Sequence, residues 1–257
     1  MTRRHVAFEC EGSRLAGTLD EGGARSALLI VTGGNEVRAG AWGGQSWLAA
    51  RLSGEGYPVF RFDRRGTGDS EGANGEFRSS AADIAAALST LRRECPDVRR
   101  VVGFGNCDAA SALMLAEGAG CDALALSNPW TIEQDDAAPS PEALRDHYKR
   151  RLADPAAVKR LFTGKVSPRR LAGSLLGALR PPPPPTSLAE AMKSGIARYQ
   201  GNVRFLVAER DRTAQAFLST WDRSDPQIER CPDATHSYVE PHAREWLVQR
   251  LLGALAT

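Results

Sequence analysis

The sequence predicts an α/β fold in which a mostly parallel sheet is flanked by helices on both faces and carries an inserted helical cap. Three observations predict it. Short apolar runs rich in Val, Ile, Leu and Phe alternate with helical patterns through the first half of the chain and again near its end. The alternation stops after Pro129 and resumes near Gly201, so 130–200 reads as an insertion into a core formed by 1–129 and 201–257. The chain has 257 residues, 42% of them hydrophobic, which is enough for one sizeable core.

"HVAFEC" and "RLAGTLD" form an opening pair of strands, and "SALLIVTGG" is a buried strand ending in glycines. "WGGQSWLAARLSGEG" is helical and stops at Gly54–Gly56. The strand "PVFRFD" precedes the amphipathic helix "SSAADIAAALSTLRREC", for which Ser80 or Ser79 is the expected N-cap. "RRVVGFG", "CDAASALMLAEG" and "ALALSNP" read as strand, helix and strand. Within the insertion, Pro141 opens a helix in "SPEALRDHYKRRL", followed by two shorter helical stretches, "DPAAVKRLFTG" and "SPRRLAGSLLGAL". "RPPPPPT" is an extended connector. The core then resumes with the strand "NVRFLVAE", the helix "DRTAQAFLSTW", the short strand "QIERCP" and the final helix "EPHAREWLVQRLLGAL".

Composition narrows the function. A net charge of +2 gives no reason to expect nucleic acid as a partner. The positive charge is uneven, however: ten Lys or Arg stand against three Asp or Glu between Glu142 and Arg180. Five cysteines at irregular spacing, with no CxxC pair, suggest neither a zinc site nor a disulfide framework. They suit reduced thiols in a cytoplasmic protein. The N-terminus has no apolar run resembling a signal peptide. No stretch approaches the roughly 18 consecutive apolar residues of a membrane span. No cofactor or metal is expected.

The chemistry concentrates where strands end, because open parallel sheets bind ligands beyond the carboxyl ends of their strands. The strand "VVGFG" runs into Gly105-Asn106-Cys107-Asp108-Ala109. A tight strand-to-helix turn that exposes a nucleophile needs small residues two before and two after it, and Gly105 and Ala109 supply them. Cys107 stands at the nucleophile's position, where the helix N-terminus favours a thiolate. A buried cysteine with packing duties only is the alternative, and the turn argues against it. His236, in the loop between the last strand and last helix, is the candidate base. His5, His147 and His242 lie in the first strand, the insertion and the last helix. Asp211, at a strand–helix junction, is the candidate acid that orients His236, and it can also cap the helix. Glu209 is second choice, and Asp225 and Asp233 are less well placed. The backbone N–H of Asp108, with that of Gly34 or Asn35, would bind an oxyanion. Arg38 either binds a carboxylate or phosphate of the substrate or is solvated. Trp130 and "LAGSLLGAL" either line an acyl pocket or form the seam between cap and core. In "FDRRGTGDSEG", Asp63, Arg65, Gly66, Gly68 and Ser70 hold a loop together, without the pattern of a nucleotide site.

"VTGGN", "FDRRGTGDSEG", "GFGNCDAA", Asp211 and "THSY", in that order, resemble the α/β-hydrolase superfamily across the whole chain. "GGNEVRAG", "NCDAASA", "LSNPW" and "LRDHYKRRLADPAAVKRLFTGKV" narrow the resemblance to the type 1 exosortase-A-system-associated hydrolases, a group found with bacterial exopolysaccharide and protein-sorting gene clusters. The resemblance implies an α/β-hydrolase fold, with the family's Cys-bearing elbow at Cys107, its late Asp at Asp211 and its His at His236. Asn106 and the Pro181–Pro185 run depart from the family pattern. The expected activity is hydrolysis of a small acyl ester or thioester through an acyl-enzyme. Two alternatives remain open: an acyltransferase on the same three residues, and a non-enzymatic scaffold whose basic cap binds an anionic partner.

Overall fold

The computed structural model describes residues 2–133 and 187–257. Eight strands form one sheet in the order β1-β2-β4-β3-β5-β6-β7-β8. They are β1 (Arg3–Cys10), β2 (Ser13–Asp20), β3 (Ser26–Val31), β4 (Val59–Phe62), β5 (Arg100–Asn106), β6 (Ala123–Ser127), β7 (Asn202–Ala208) and β8 (Ile228–Cys231). The first two strands pair antiparallel, and β2 pairs antiparallel with β4; β3 to β8 run parallel to one another. The six α-helices among the described residues are α1 (Gly44–Gly54), α2 (Ala81–Glu94), α3 (Asp108–Leu115), α4 (Ser187–Arg198), α5 (Arg212–Thr220) and α6 (Pro241–Ala256).

The central strands are apolar on both sides because both sides are covered. Leu29 and Val31 of β3 pack with α2, α3, α4 and α5, through Ile84, Leu113, Met192 and Phe217 among others. Leu28 and Ile30 of the same strand pack on the other face with α1 and α6, through Leu52 and Leu251. Register then fixes the position of the site. Phe62, Val31, Gly105, Leu126 and Phe205 lie side by side across β4, β3, β5, β6 and β7. The loops that follow these strands therefore open on one edge of the sheet.

One local expectation meets a different outcome. Ser80 occupies the N-cap position of α2 but makes no side-chain cap bond. Its hydroxyl donates to the Glu76 carbonyl and accepts from Arg64 Nη1 instead. The segment 187–198, inside the interval 130–200, carries no element in the sequence reading. This segment forms α4, whose Leu188, Ala189 and Met192 are buried and which packs on α3. Gly195 makes that contact possible, since a Cβ there would stand 2.0 Å from the Met114 carbonyl oxygen. The interval's two described ends meet: Glu133 Oε1 accepts from Ser187 Oγ and from the Leu188 N–H. The expected cap helices, the basic stretch Glu142–Arg180, "LAGSLLGAL", His147 and the proline run lie outside the described residues.

Candidate active site

Cys107 sits between β5 and α3 with φ 63° and ψ −129°, a left-handed backbone that a residue with a Cβ adopts only under constraint. The constraint is visible. The Cys107 N–H donates to the Ser127 carbonyl, and its carbonyl accepts from Ala110 and Trp130. The turn is tight enough that a Cβ on Gly105 would come within 2.6 Å of the Ala109 backbone. Gly105 and Ala109 are therefore small for the reason the sequence suggested. Of the five free thiols, Cys10, Cys121 and Cys231 are buried, whereas Cys107 is partly open. Burial pushes Cys10 up to about 11, Cys121 up to about 12 and both Cys95 and Cys231 above the ordinary thiol range.

His236 and Asp211 meet at this turn. Asp211 Oδ2 lies 2.8 Å from His236 Nδ1. The same carboxylate caps α5, accepting from the N–H groups of Thr213 and Ala214. Capping and orienting the imidazole are thus one arrangement, because the cap holds the carboxylate in place. The Asp211 bond, and after it the neighbouring Cys107 side chain, pulls His236 up from 6.5 to about 10 against the opposing effect of burial. Glu209 precedes this junction, Asp225 receives Trp221 Nε1, and Asp233 sits in the turn after β8, three residues before His236; none of them takes Asp211's place. His5 lies near Thr18 and His242 near the Pro232 carbonyl, away from the turn.

A chain of amides that the sequence reading did not assign supports His236 from below. The Ala208 N–H donates to Asn128 Oδ1, and Asn128 Nδ2 donates to Asn106 Oδ1. Asn106 Nδ2 then donates to the His236 carbonyl and stands 3.4 Å from His236 Nε2. The backbone N–H at one end and the carbonyl at the other fix which way both amides face. Asn128 stood out in the sequence only as part of "LSNPW", and Asn106 only as a departure from a family pattern.

Next to Cys107 a cleft is lined by Gly34, Asn35, Arg64, Asn74, Glu76, Phe77, Arg78, Cys107, Asp108, Trp130, Ile132, Glu133 and Leu188. Trp130 is among the residues at this cleft. Arg38 is not: its guanidinium bonds Asp63, Asp69 Oδ2 and Thr18 Oγ1, and its N–H donates to Asp63 Oδ1. Three of its five N–H donors are taken in this way, which ties the Gly33–Gly40 loop to the loop after β4 and holds the guanidinium away from the cleft. Arg64 lines the cleft in its stead. The "FDRRGTGDSEG" loop is held as expected, with Ser70 Oγ on the Asp63 carbonyl, Arg65 on Asp83, and positive φ at Gly66 and Gly68.

Of the two donors expected beside Asp108, the Gly34 N–H is occupied, at 2.6 Å from Asp108 Oδ1. The Asn35 N–H makes no bond to a protein group among the described residues. A strained turn bearing a thiol, an imidazole on that thiol, and a carboxylate behind the imidazole can carry out nucleophilic attack and proton transfer on one carbonyl.

The chain belongs to the alpha/beta hydrolase family, whose model matches residues 28–250. Solved structures share the fold. The Pyrococcus furiosus esterase Pf2001 aligns with a TM-score of 0.65 at 16% identity, covering 99% of this chain and 90% of that one. Est1E from Butyrivibrio proteoclasticus, solved with ferulic acid bound, gives 0.60 at 16% identity over 98% of this chain and 100% of its own. The alpha/beta hydrolase GrgF from Penicillium sp. sh18 gives 0.62 at 15% identity over 99% and 98%. At such identities the likeness is one of fold. No curated protein matches the sequence. Among the described residues, no helix is long and apolar enough to cross a membrane.

Proposed function

We propose that this hydrolase cleaves an ester or thioester through an acyl-enzyme on Cys107. The observation that carries the reading is the Asp211–His236 hydrogen bond beside a thiol held in a strained turn at a helix N-terminus. His236 Nε2 takes the Cys107 thiol proton as Sγ attacks the substrate carbonyl carbon, and the carbonyl π electrons move onto oxygen. The backbone N–H of Asp108, with that of Asn35, stabilises that oxyanion. As it collapses, the carbon–oxygen or carbon–sulfur bond to the leaving group breaks, and His236 Nε2 donates the proton that the leaving group takes. His236 then accepts a proton from water, whose oxygen attacks the thioester, and the proton returns to the thiol. Asp211 holds the imidazole in the required orientation throughout.

The cleft, bordered by the base of the 134–186 segment at Glu133 and Leu188, would receive the acyl group, with that segment as cap. Free thiols suit a reducing cytoplasm. The cap-region resemblance points to a role beside a bacterial exosortase and exopolysaccharide system.

Intact-protein mass spectrometry after brief exposure to p-nitrophenyl acetate and short acyl-thioesters tests the reading. An acyl adduct is expected on Cys107, absent in Cys107→Ala and at least tenfold slower to form in His236→Ala. Decay of the adduct in water alone marks a hydrolase, and decay only with an added amine, thiol or alcohol marks an acyltransferase. An unmodified Cys107 beside randomly acylated exposed groups would sink the reading and favour the anion-binding scaffold.

A further inference from the structure

Gly34 is gripped on both sides. Its N–H donates to Asp108 Oδ1 at 2.6 Å, and its carbonyl accepts from Arg64 Nη2 at 2.5 Å. Arg64 Nη2 also stands 3.6 Å from Asp108 Oδ2, which closes the ring. The Arg64 side chain is only 4% exposed, and Nη1 is fixed by Ser80 Oγ at 2.9 Å. Gly33 leaves room for the arrangement, because a Cβ there would lie 2.7 Å from Asp108 Oδ1. Gly34 itself adopts φ 55°, which a residue without a Cβ tolerates at no steric cost.

The peptide plane gives this ring a consequence. In a trans peptide the carbonyl of one residue and the N–H of the next point in opposite directions, and no cis peptide occurs among the described residues. Arg64, by holding the Gly34 carbonyl, therefore fixes the direction of the Asn35 N–H. The Gly34 N–H is meanwhile spent on a carboxylate and cannot also serve a developing oxyanion. Asn35, Asp108 and Cys107 line one cleft.

We propose that the Asp108 carboxylate and the Arg64 guanidinium are positioning groups that clamp Gly34 and so present the Asn35 N–H, together with the Asp108 N–H, to the oxyanion. The proposal rests on the acyl-transfer reading above. It gives the side chain that follows the nucleophile a task separate from that of its backbone N–H. It also explains why a carboxylate stands beside a thiol whose attack builds negative charge: its own charge is turned toward Arg64 and Gly34.

Two reagents for the same sulfur test it. Iodoacetamide alkylates Cys107 by substitution at a saturated carbon and builds no oxyanion, whereas p-nitrophenyl acetate acylates it through one. Both rates are measured on the full chain by intact mass, in wild type, Asp108→Ala, Asp108→Asn and Arg64→Lys, with thermal melts in parallel. Asp108→Ala is expected to slow acylation at least about tenfold, since loss of one oxyanion donor costs about 10²–10³, while alkylation is not slowed. Asp108→Asn, whose amide oxygen still accepts from Gly34, is expected to recover part of the loss. A lysine cannot hold Ser80, Gly34 and Asp108 at once, so Arg64→Lys is expected to repeat the pattern, and it carries the test if Asp108→Ala fails to fold. Equal acylation in wild type and variants would overturn the clamp alone. Parallel loss of both rates would reduce it to ordinary structural damage. Faster acylation in Asp108→Ala would mark the carboxylate as an occupant of the oxyanion site and overturn the clamp. A wild-type Cys107 that is alkylated but never acylated would overturn the acyl-transfer reading and the clamp with it.

Discussion

Asp211 offers a way to separate orientation of the base from stability of the fold, because one carboxylate caps α5 and pairs with His236. Asn caps a helix about as well as Asp, whereas Ala does not. Asp211→Asn therefore removes the anion beside His236 and keeps the cap, and Asp211→Ala removes both. The alanine variant should lose about 1 kcal/mol more than the asparagine variant, the usual worth of a cap. The pH dependence isolates the pair. His236 stands at about 10 in the folded state against an ordinary 6.5, so its pairing stabilises fully below about pH 6.5 and is lost as the pH rises through about 10. One proton bound by the folded state changes stability by at most about 1.4 kcal/mol per pH unit, or about 3 kcal/mol between about pH 7.5 and pH 9.5. The His236 side chain is 38% exposed, so solvent screening reduces this to about 1 kcal/mol. Buried thiols also lower stability as the pH rises, but equally in wild type and variant, so they cancel in the difference. Equilibrium urea unfolding at the two pH values measures it. The wild type should lose about 1 kcal/mol more than Asp211→Asn over that interval. Parallel pH slopes, or equal losses in Asn and Ala variants at neutral pH, would refute the double role.

Two further substitutions test what holds the site. Gly105→Ala places a methyl within 2.6 Å of the α3 backbone, and such overpacking should cost about 1–3 kcal/mol in a thermal melt while slowing Cys107 acylation; an unchanged melting temperature would show that the elbow has room to spare. Arg38→Met strips the guanidinium from Asp63, which is fully buried. It should cost about 3 kcal/mol in urea unfolding and shift KM for neutral and carboxylated esters alike; a selective effect on the carboxylated ester would restore Arg38 as a substrate ligand.

The elements of the core were legible because each strand and helix carries its own pattern. "ALLIV" and "VVGFG" are apolar runs buried on both faces, and "AADIAAALSTLRRE" repeats its apolar residues with a helical period. The helix α4 was missed because its buried residues, Leu188, Ala189 and Met192, sit directly after a proline run and among Glu and Lys, so local pattern gave them no context.

Spacing and chain order by themselves determined the outline of the candidate site: a small-residue turn around Cys107, a late acid at a strand end, and a histidine in the last loop. These are features of local backbone geometry, and local geometry is written in short stretches of residue type. Tertiary structure alone decided which polar groups are already taken. Arg38 and Arg64 are both arginines in glycine-rich loops, yet one is spent on Asp63 and Asp69 while the other reaches the cleft. Gly34 and Asn35 are adjacent, yet only one N–H is occupied, by a carboxylate 74 positions away. A hydrogen bond is a statement about distance and direction between two atoms, and a sequence carries neither for residues that meet only when β3, β4 and β5 assemble.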